Sequence, residues 1–366
     1  MGNASNRLES PITEKESEEG QANNLCYGVS SMQGWRASME DQHNIIGSLK
    51  DVPNISFFGV YDGHGGKFTS DYISKYLPKV FENRKEFRDY ENLSQSDRDD
   101  VKGIKLLKNA CIATFLEIDA ALLRIKKYAR SKSPSSVTSF NESEEYRRHL
   151  GNMPKVERSG STCVVVIVTP SHIICANAGD SRACFKRDCK ALPLSFDHKP
   201  MNTAEHSRIK NAGGTVTAKR IDGDLAVSRG LGDFQFKQRD DLPPEKQKVS
   251  CIPDVTVYPR NHDKDEFIVI ACDGIWDVVS NEECVELVQQ IFNEGETQLG
   301  KVSEEMLDIC LRKGSRDNMS LAVVTLPAVK IGKGGGVDAR RERRFNLIET
   351  TSSHSSESLT PIMVES

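Results

Sequence analysis

No Cys-x-x-Cys pair occurs among the ten cysteines, and no apolar run approaches the roughly 18 residues that a membrane span needs. The longest runs, such as Cys163 to Val168, have the length of a strand. Cys163, Cys175, Cys272 and Cys310 lie inside apolar stretches, so buried reduced thiols are expected rather than disulfides or a zinc site. A Gly-x-x-x-x-Gly-Lys-Ser/Thr loop is absent as well, which argues against a nucleotide hydrolase. Excess charge is lacking: a net charge of -4 gives no bulk attraction to nucleic acid. The polar first 25 residues hold no secretory apolar region, and the expected location is the cytosol, with a nuclear pool also open to it.

What is present is a repeated device. Phe57-Phe58-Gly59-Val60-Tyr61 reads as a buried strand and runs into Asp62-Gly63-His64-Gly65-Gly66. Phe267 to Cys272 runs into Asp273-Gly274, and Asp317-Asn318 stands just before the apolar stretch Leu321 to Val324. Strand ends beside glycine turns are where reactive groups are displayed. Three acids so placed suggest one shared cation site with hard oxygen ligands, which suits magnesium or manganese better than zinc or copper. Two such ions can bridge a water and stabilise an in-line displacement at phosphorus, so phosphate ester hydrolysis is the expected chemistry. Taken alone, any one Asp-Gly pair is ordinary turn chemistry.

The 366 residues, 37% apolar and 28% charged, suffice for one large core or two modest ones. Residues 1–24 are polar and read as a disordered arm. Apolar residues at spacings of three and four from Leu107 to Ile125 predict a long helix over 104–127. Residues about 129–158 read as a surface insertion. Val164–Val168, His172–Ala176, Arg182–Lys186 and Phe267–Ala271 read as strands. Ser280-Asn281-Glu282-Glu283 is a capping box for a helix carrying Val285, Val288 and Phe292, and Ser303–Arg312 predicts another helix. From residue 328 onward the glycines, the cluster Arg340-Arg341-Glu342-Arg343-Arg344 and a Ser/Thr-rich end read as a disordered tail.

Seven ordered blocks carry a resemblance: Gly34-Trp35-Arg36-Ala37-Ser38-Met39-Glu40-Asp41, Tyr61 to Gly66, Ser159-Gly160-Ser161-Thr162, Ala178-Gly179-Asp180-Ser181-Arg182, Leu225 to Asp233, Cys272 to Asp277 and Ser315 to Ser320. In this order they resemble the metal-dependent protein serine/threonine phosphatases of type two C, the PPM family. The resemblance spans roughly Tyr27 to Leu326. It implies an α+β catalytic domain over 25–327, a four-layer α/β/β/α sandwich with two central antiparallel sheets flanked by helices. It also implies phosphoserine and phosphothreonine hydrolysis by a water bridging two Mg²⁺ or Mn²⁺ ions. Asp62 matches the bridging ligand, Gly63 the carbonyl ligand of the second metal, Asp273 and Asp317 the other ligands of the first. Glu40 corresponds to a second-metal acid, and Asp180 to the acid that with Asp273 holds a weaker third ion. Arg36 matches the arginine that grips phosphate and His64 the general acid. Phosphoprotein substrates follow, with no nucleic-acid partner and a monomer expected. His43, His198 and His206 are read as structural, and Asp197 to Gly232 as the segment that shapes the substrate groove. The insertion and a tail too short for a further C-terminal helical domain depart from animal relatives of the family.

Met1-Gly2-Asn3-Ala4-Ser5-Asn6-Arg7 resembles an N-myristoylation signal, with Asn6 where the pattern has Ser or Thr. One acyl chain binds membranes marginally, so the arginine cluster is a candidate second signal through anionic lipids, or else a nuclear address or a solvated tail.

Overall fold

The computed structural model describes residues 7–131 and 158–355. Alternation of apolar residues along each strand decides the layering. In Asp265–Ala271, Phe267, Val269 and Ala271 point to one core while Ile268 and Ile270 point to another. The strand therefore has two buried faces and must lie inside a stack. It belongs to a six-stranded sheet in the order Arg7–Ala22, Leu25–Arg36, Met319–Thr325, Asp265–Ala271, Arg182–Arg187, Lys190–Pro193. A second sheet runs Asp254–Pro259, His172–Ala178, Cys163–Val168, Ser56–Tyr61, Gln42–Ile46, and every pairing in both sheets is antiparallel.

Between the sheets Val29, Ile268, Ile270 and Val324 of the first meet Phe58, Val60, Val164 and Val166 of the second. The outer face of the second sheet packs on the helices Phe68–Glu82 and Val101–Ser131 through Phe57, Ile73, Leu77 and Phe115. The outer face of the first packs on Asn281–Asn293 and Leu299–Arg312 through Phe267, Val288, Met306 and Leu321. This is the expected α/β/β/α order. Ser280 caps its helix as the sequence predicts, its Oγ accepting from Glu283 N at 3.1 Å.

Two expectations of disorder are corrected. The arm ends in an edge strand, Arg7–Ala22, joined to Leu25–Arg36 by Asn23-Asn24 with φ of 54° and 58°, a two-residue hairpin turn. Its polarity is that of an edge strand, which needs ladder hydrogen bonds more than an apolar face. Lys15 also pairs with Asp308 at 2.7 Å and Ser17 donates to Glu304 at 3.0 Å. Residues 1–6 lie outside the described residues, as does the expected insertion between Ser131 and residue 158.

The tail likewise contains a helix, Gly336–Ser355, whose Val337 is fully buried and whose Val337 N donates to Glu296 Oε2 at 2.9 Å. Its arginines answer acids on the neighbouring helices: Arg340 and Arg343 reach Glu294 at 2.6 and 2.7 Å, and Arg344 reaches Glu305 at 2.6 Å. Burial alone would favour a neutral Glu305, yet Arg344, Arg312 and Arg340 hold its pKa below the ordinary carboxylate value. A candidate lipid or nuclear signal is thus engaged internally. Deleting residues 330–366 should lower Tm by roughly 5 °C, since Val337 and three of the arginines that pair with Glu305, Arg340, Arg341 and Arg344, go with it. A merely solvated tail would come away with no change in a thermal melt.

Candidate metal centre and phosphate cleft

The acids arrive from strand ends. Asp62 follows Ser56–Tyr61, Asp180 follows His172–Ala178, Asp273 follows Asp265–Ala271, and Asp317 precedes Met319–Thr325. Asp62 is held by its own backbone: Thr162 N donates to its carbonyl at 2.9 Å and its N donates to Thr162 Oγ1 at 3.2 Å. The carboxylates of Asp62, Asp180 and Asp273 come within 4.8 Å of one another. Burial, and then the neighbouring acids, push the pKa of Asp62 and Asp273 well above the usual carboxylate range. Burial likewise pushes Asp41 up to about 7; one of its oxygens accepts from Ser320 Oγ at 2.8 Å and the other has no hydrogen-bond partner. Such a cluster is short of positive charge, and an all-oxygen donor set of this kind fits a hard divalent cation. Part of that charge comes from Lys199, whose ammonium contacts Asp180. Burial opposes the charge on Lys199, but Asp180 outweighs it and holds the pKa above the ordinary lysine value.

Arg36 ends the strand Leu25–Arg36 and Glu40 sits on the loop after it, and Asn318 fastens that loop. The Asn318 amide donates to Gln33 O at 2.8 Å and Ser38 O at 3.0 Å, while its oxygen accepts from Glu40 N at 2.9 Å. Arg36 Nη2 lies 2.5 Å from Asp317 Oδ2. Glu40 accepts from Gly66 N at 3.0 Å and from Ser38 Oγ at 2.8 Å. Gly63 is where a side chain has no room, because a Cβ there would stand 2.3 Å from Glu40 O.

The eight residues singled out from the sequence, Arg36, Glu40, Asp62, Gly63, His64, Asp180, Asp273 and Asp317, all line one cleft of about 840 Å³. Asp62, Asp180 and Asp273 form its close acidic group; Asp317 and Glu40 are turned to Arg36 and to Gly66. His64 is met by a partner that the sequence blocks left without a role: both oxygens of the fully buried Asp233 lie 2.8–2.9 Å from its Nε2. Burial works against the imidazolium, but Asp233, and then Asp180 and Glu40, lift the His64 pKa above its ordinary value. Asp233 is 169 residues away in sequence, so no spacing could reveal the pair. Lys199 is only 19 residues from Asp180, but the two meet through the fold and not through a helix or strand spacing. His198 is structural as expected, bridging Gly179 N at 3.2 Å and Asp254 at 3.0 Å. His43 lies beside Ser31 and Glu18, and His206 is part of the helix Thr203–Asn211.

The sequence pattern of the family described as Protein phosphatase 2C matches residues 25–319. Protein phosphatase 1A of Mus musculus is 39% identical over 322 residues, covering 88% of this chain and 76% of that protein. Protein phosphatase 1B of Bos taurus is 40% identical over 319 residues, covering 87% of this chain and 60% of that protein, so the chain spans about three fifths of this longer relative. Among solved structures, a phosphatase from a pathogenic strain of Toxoplasma gondii superposes with a TM-score of 0.64 at 24% identity, over 87% of this chain and 97% of the other. A serine-threonine phosphatase 2C from Toxoplasma gondii gives 0.65 at 20% identity, over 87% and 98%. These two likenesses concern the fold.

Proposed function

This chain belongs to the protein phosphatase 2C family, and from that premise we propose that it hydrolyses phosphoserine and phosphothreonine in proteins within the cleft that joins Arg36, His64 and the buried acids. The observation that carries the reading is the close group of Asp62, Asp180 and Asp273 facing an arginine and a histidine across one cleft. Two Mg²⁺ or Mn²⁺ ions would be held by Asp62, the Gly63 carbonyl, Asp273, Asp317 and Glu40, with Asp180 and Asp273 open to a weaker third. Bound there, the metal supplies Lewis-acid polarisation of the attacking water and of the phosphate. The protein's own groups do the rest. Arg36 offers a guanidinium fork to two non-bridging phosphate oxygens, exchanging Asp317 for the substrate. Imidazolium at His64 gives a proton to the departing serine or threonine oxygen, a poor leaving group without one.

The test is phosphate release from phosphoserine and phosphothreonine peptides, expected with added manganese or magnesium and silenced by chelator. Stability should follow the same charge balance. Asp62 and Asp273 have folded-state pKa values raised above the unfolded value, so the chelated protein binds more protons folded than unfolded and is stabilised as pH falls. Its Tm should therefore climb from pH 7.5 to 5.5. Manganese at one fixed concentration, about 100-fold its Kd at pH 7.5, should add roughly 3–5 °C at pH 7.5 and less at pH 5.5, where protons already neutralise the acids. Equal metal shifts at both pH values would remove the acid cluster as the binding site.

We also propose that Gly2 is N-myristoylated and that the protein is a monomer of the cytosol with partial membrane contact. No helix among the described residues is long and apolar enough to cross a membrane. The hairpin register sets Arg7, the first described residue, opposite Arg36 of the phosphate cleft. The arginines of 340–344 are committed to acids of this chain, so the acyl group would act with little help from them. Gly2→Ala should abolish vesicle co-sedimentation and leave turnover intact. A free Gly2 amine in the intact mass of protein from its native cells would end the idea.

A further inference from the structure

Gly63–His64, Gly160–Ser161 and Leu231–Gly232 form a small three-stranded ladder that reaches the cleft through Gly63 and His64. In its register Gly160 lies opposite both His64 and Gly232. Asp233, the next residue, has φ of 53°, a left-handed conformation that a residue with a Cβ adopts at a cost. Its N donates to Ser159 O at 3.2 Å, and Asp119 Oδ1 accepts from Gly232 N at 2.9 Å, so the turn is fixed from two sides. The outcome is that the Asp233 carboxylate and the His64 ring meet across the bare backbone of Gly160. A Cβ at 160 would stand 2.2 Å from Asp233 Oδ2. A fully buried carboxylate is costly unless paired, and His64 is the partner these contacts give it.

We infer that Asp233 is the positioning residue of the acid: it holds the His64 imidazole by Nε2, so that Nδ1 is the nitrogen left to donate. The inference rests on the reading of His64 as the proton donor. As the bond from phosphorus to the serine or threonine oxygen breaks, that oxygen keeps the electron pair and takes the Nδ1 proton. His64 is left neutral with Nε2–H still donated to Asp233, and it regains a proton from solvent. A fixed ring matters because a misplacement of about 1 Å can cost on the order of 10²-fold in rate.

The experiment compares a phosphothreonine peptide with an aryl phosphate whose leaving group has a pKa of roughly 7 and departs without a proton. In saturating manganese, His64→Ala should lose about 10²-fold on the peptide and under about 3-fold on the aryl ester. Asp233→Ala should show the same selectivity at roughly 10–30-fold, and Gly160→Ala, which leaves every charge in place, should follow it. His64→Ala with Asp233→Ala should be no slower on the peptide than His64→Ala alone, because residues that act as a unit are not additive. Asp233→Asn suits the left-handed backbone and is the variant to read if alanine does not fold; a peptide-selective loss of about 5-fold is expected. Wild-type peptide turnover in Asp233→Asn, equal losses on both substrates in an Asp233 variant, or losses that multiply in the double variant would overturn the inference. If His64→Ala itself loses equally on both substrates, the acid reading fails first and this inference falls with it.

Discussion

Asp62→Asn should cut turnover on a phosphothreonine peptide by roughly 10³-fold even in saturating manganese, while making the chelated protein more stable. The two effects have one origin. Asp62 is buried among Asp273, Asp41, Asp180 and Asp317, and every one of them raises its pKa. Neutralising it relieves repulsion that the folded state otherwise carries at neutral pH, so Tm in chelator should rise. The same substitution removes the charge that would bridge two ions. Divalent metal contributes several kcal/mol to a phosphoryl transition state; about 4 kcal/mol at 1.36 kcal/mol per tenfold is roughly 10³ in rate. The manganese-induced rise in Tm should shrink together with the rate. Near-normal turnover in Asp62→Asn would end the two-ion assignment, whereas lost turnover with an undiminished metal shift would move the cation elsewhere in the cleft.

The part of this site that was legible in the sequence is the part carried by strand ends. Asp62, Asp273 and Asp317 each adjoin an apolar run, and a run that must be buried on both faces can only deliver its terminal residue to the edge of the stack. The long helix and the capped helix were legible because three-and-four spacing and a Ser-x-x-Glu box act within a few residues. Arg7–Ala22 was not, since its residues are polar and its stability comes from pairing with Leu25–Arg36 and from Asp308 and Glu304 almost 300 residues away. Nor was the helix Gly336–Ser355, whose arginines read as a signal until Glu294 and Glu305 are seen beneath them. Asp233 behind the cleft, and Lys199 and Asn318 within it, show the same limit. Each acts on a partner brought near only by the fold, and pairing across the fold has no local pattern.

Arg36→Ala should lower kcat/KM by about 10²-fold on a phosphothreonine peptide and by the same factor on an aryl phosphate. Both esters present the same phosphoryl oxygens, and hydrogen bonds to charged groups are worth roughly 1.5–3 kcal/mol each. That equality separates Arg36 from His64, whose loss should depend on the leaving group. Arg36→Lys should recover only a small part of the rate, because an ammonium keeps the charge and loses the two-pronged fit. The substitution has a second consequence through Asp317, which Arg36 holds at 2.5 Å. Without the guanidinium, Asp317 is free to serve a cation throughout, so the manganese concentration for half-maximal activity should fall while KM for phosphate ester rises. Opposite movement of these two constants is the signature of an arginine that alternates between a metal-site acid and the substrate. If both constants rose together, Arg36 would instead be holding the acid cluster in shape, and phosphate recognition would pass to another cation of the cleft.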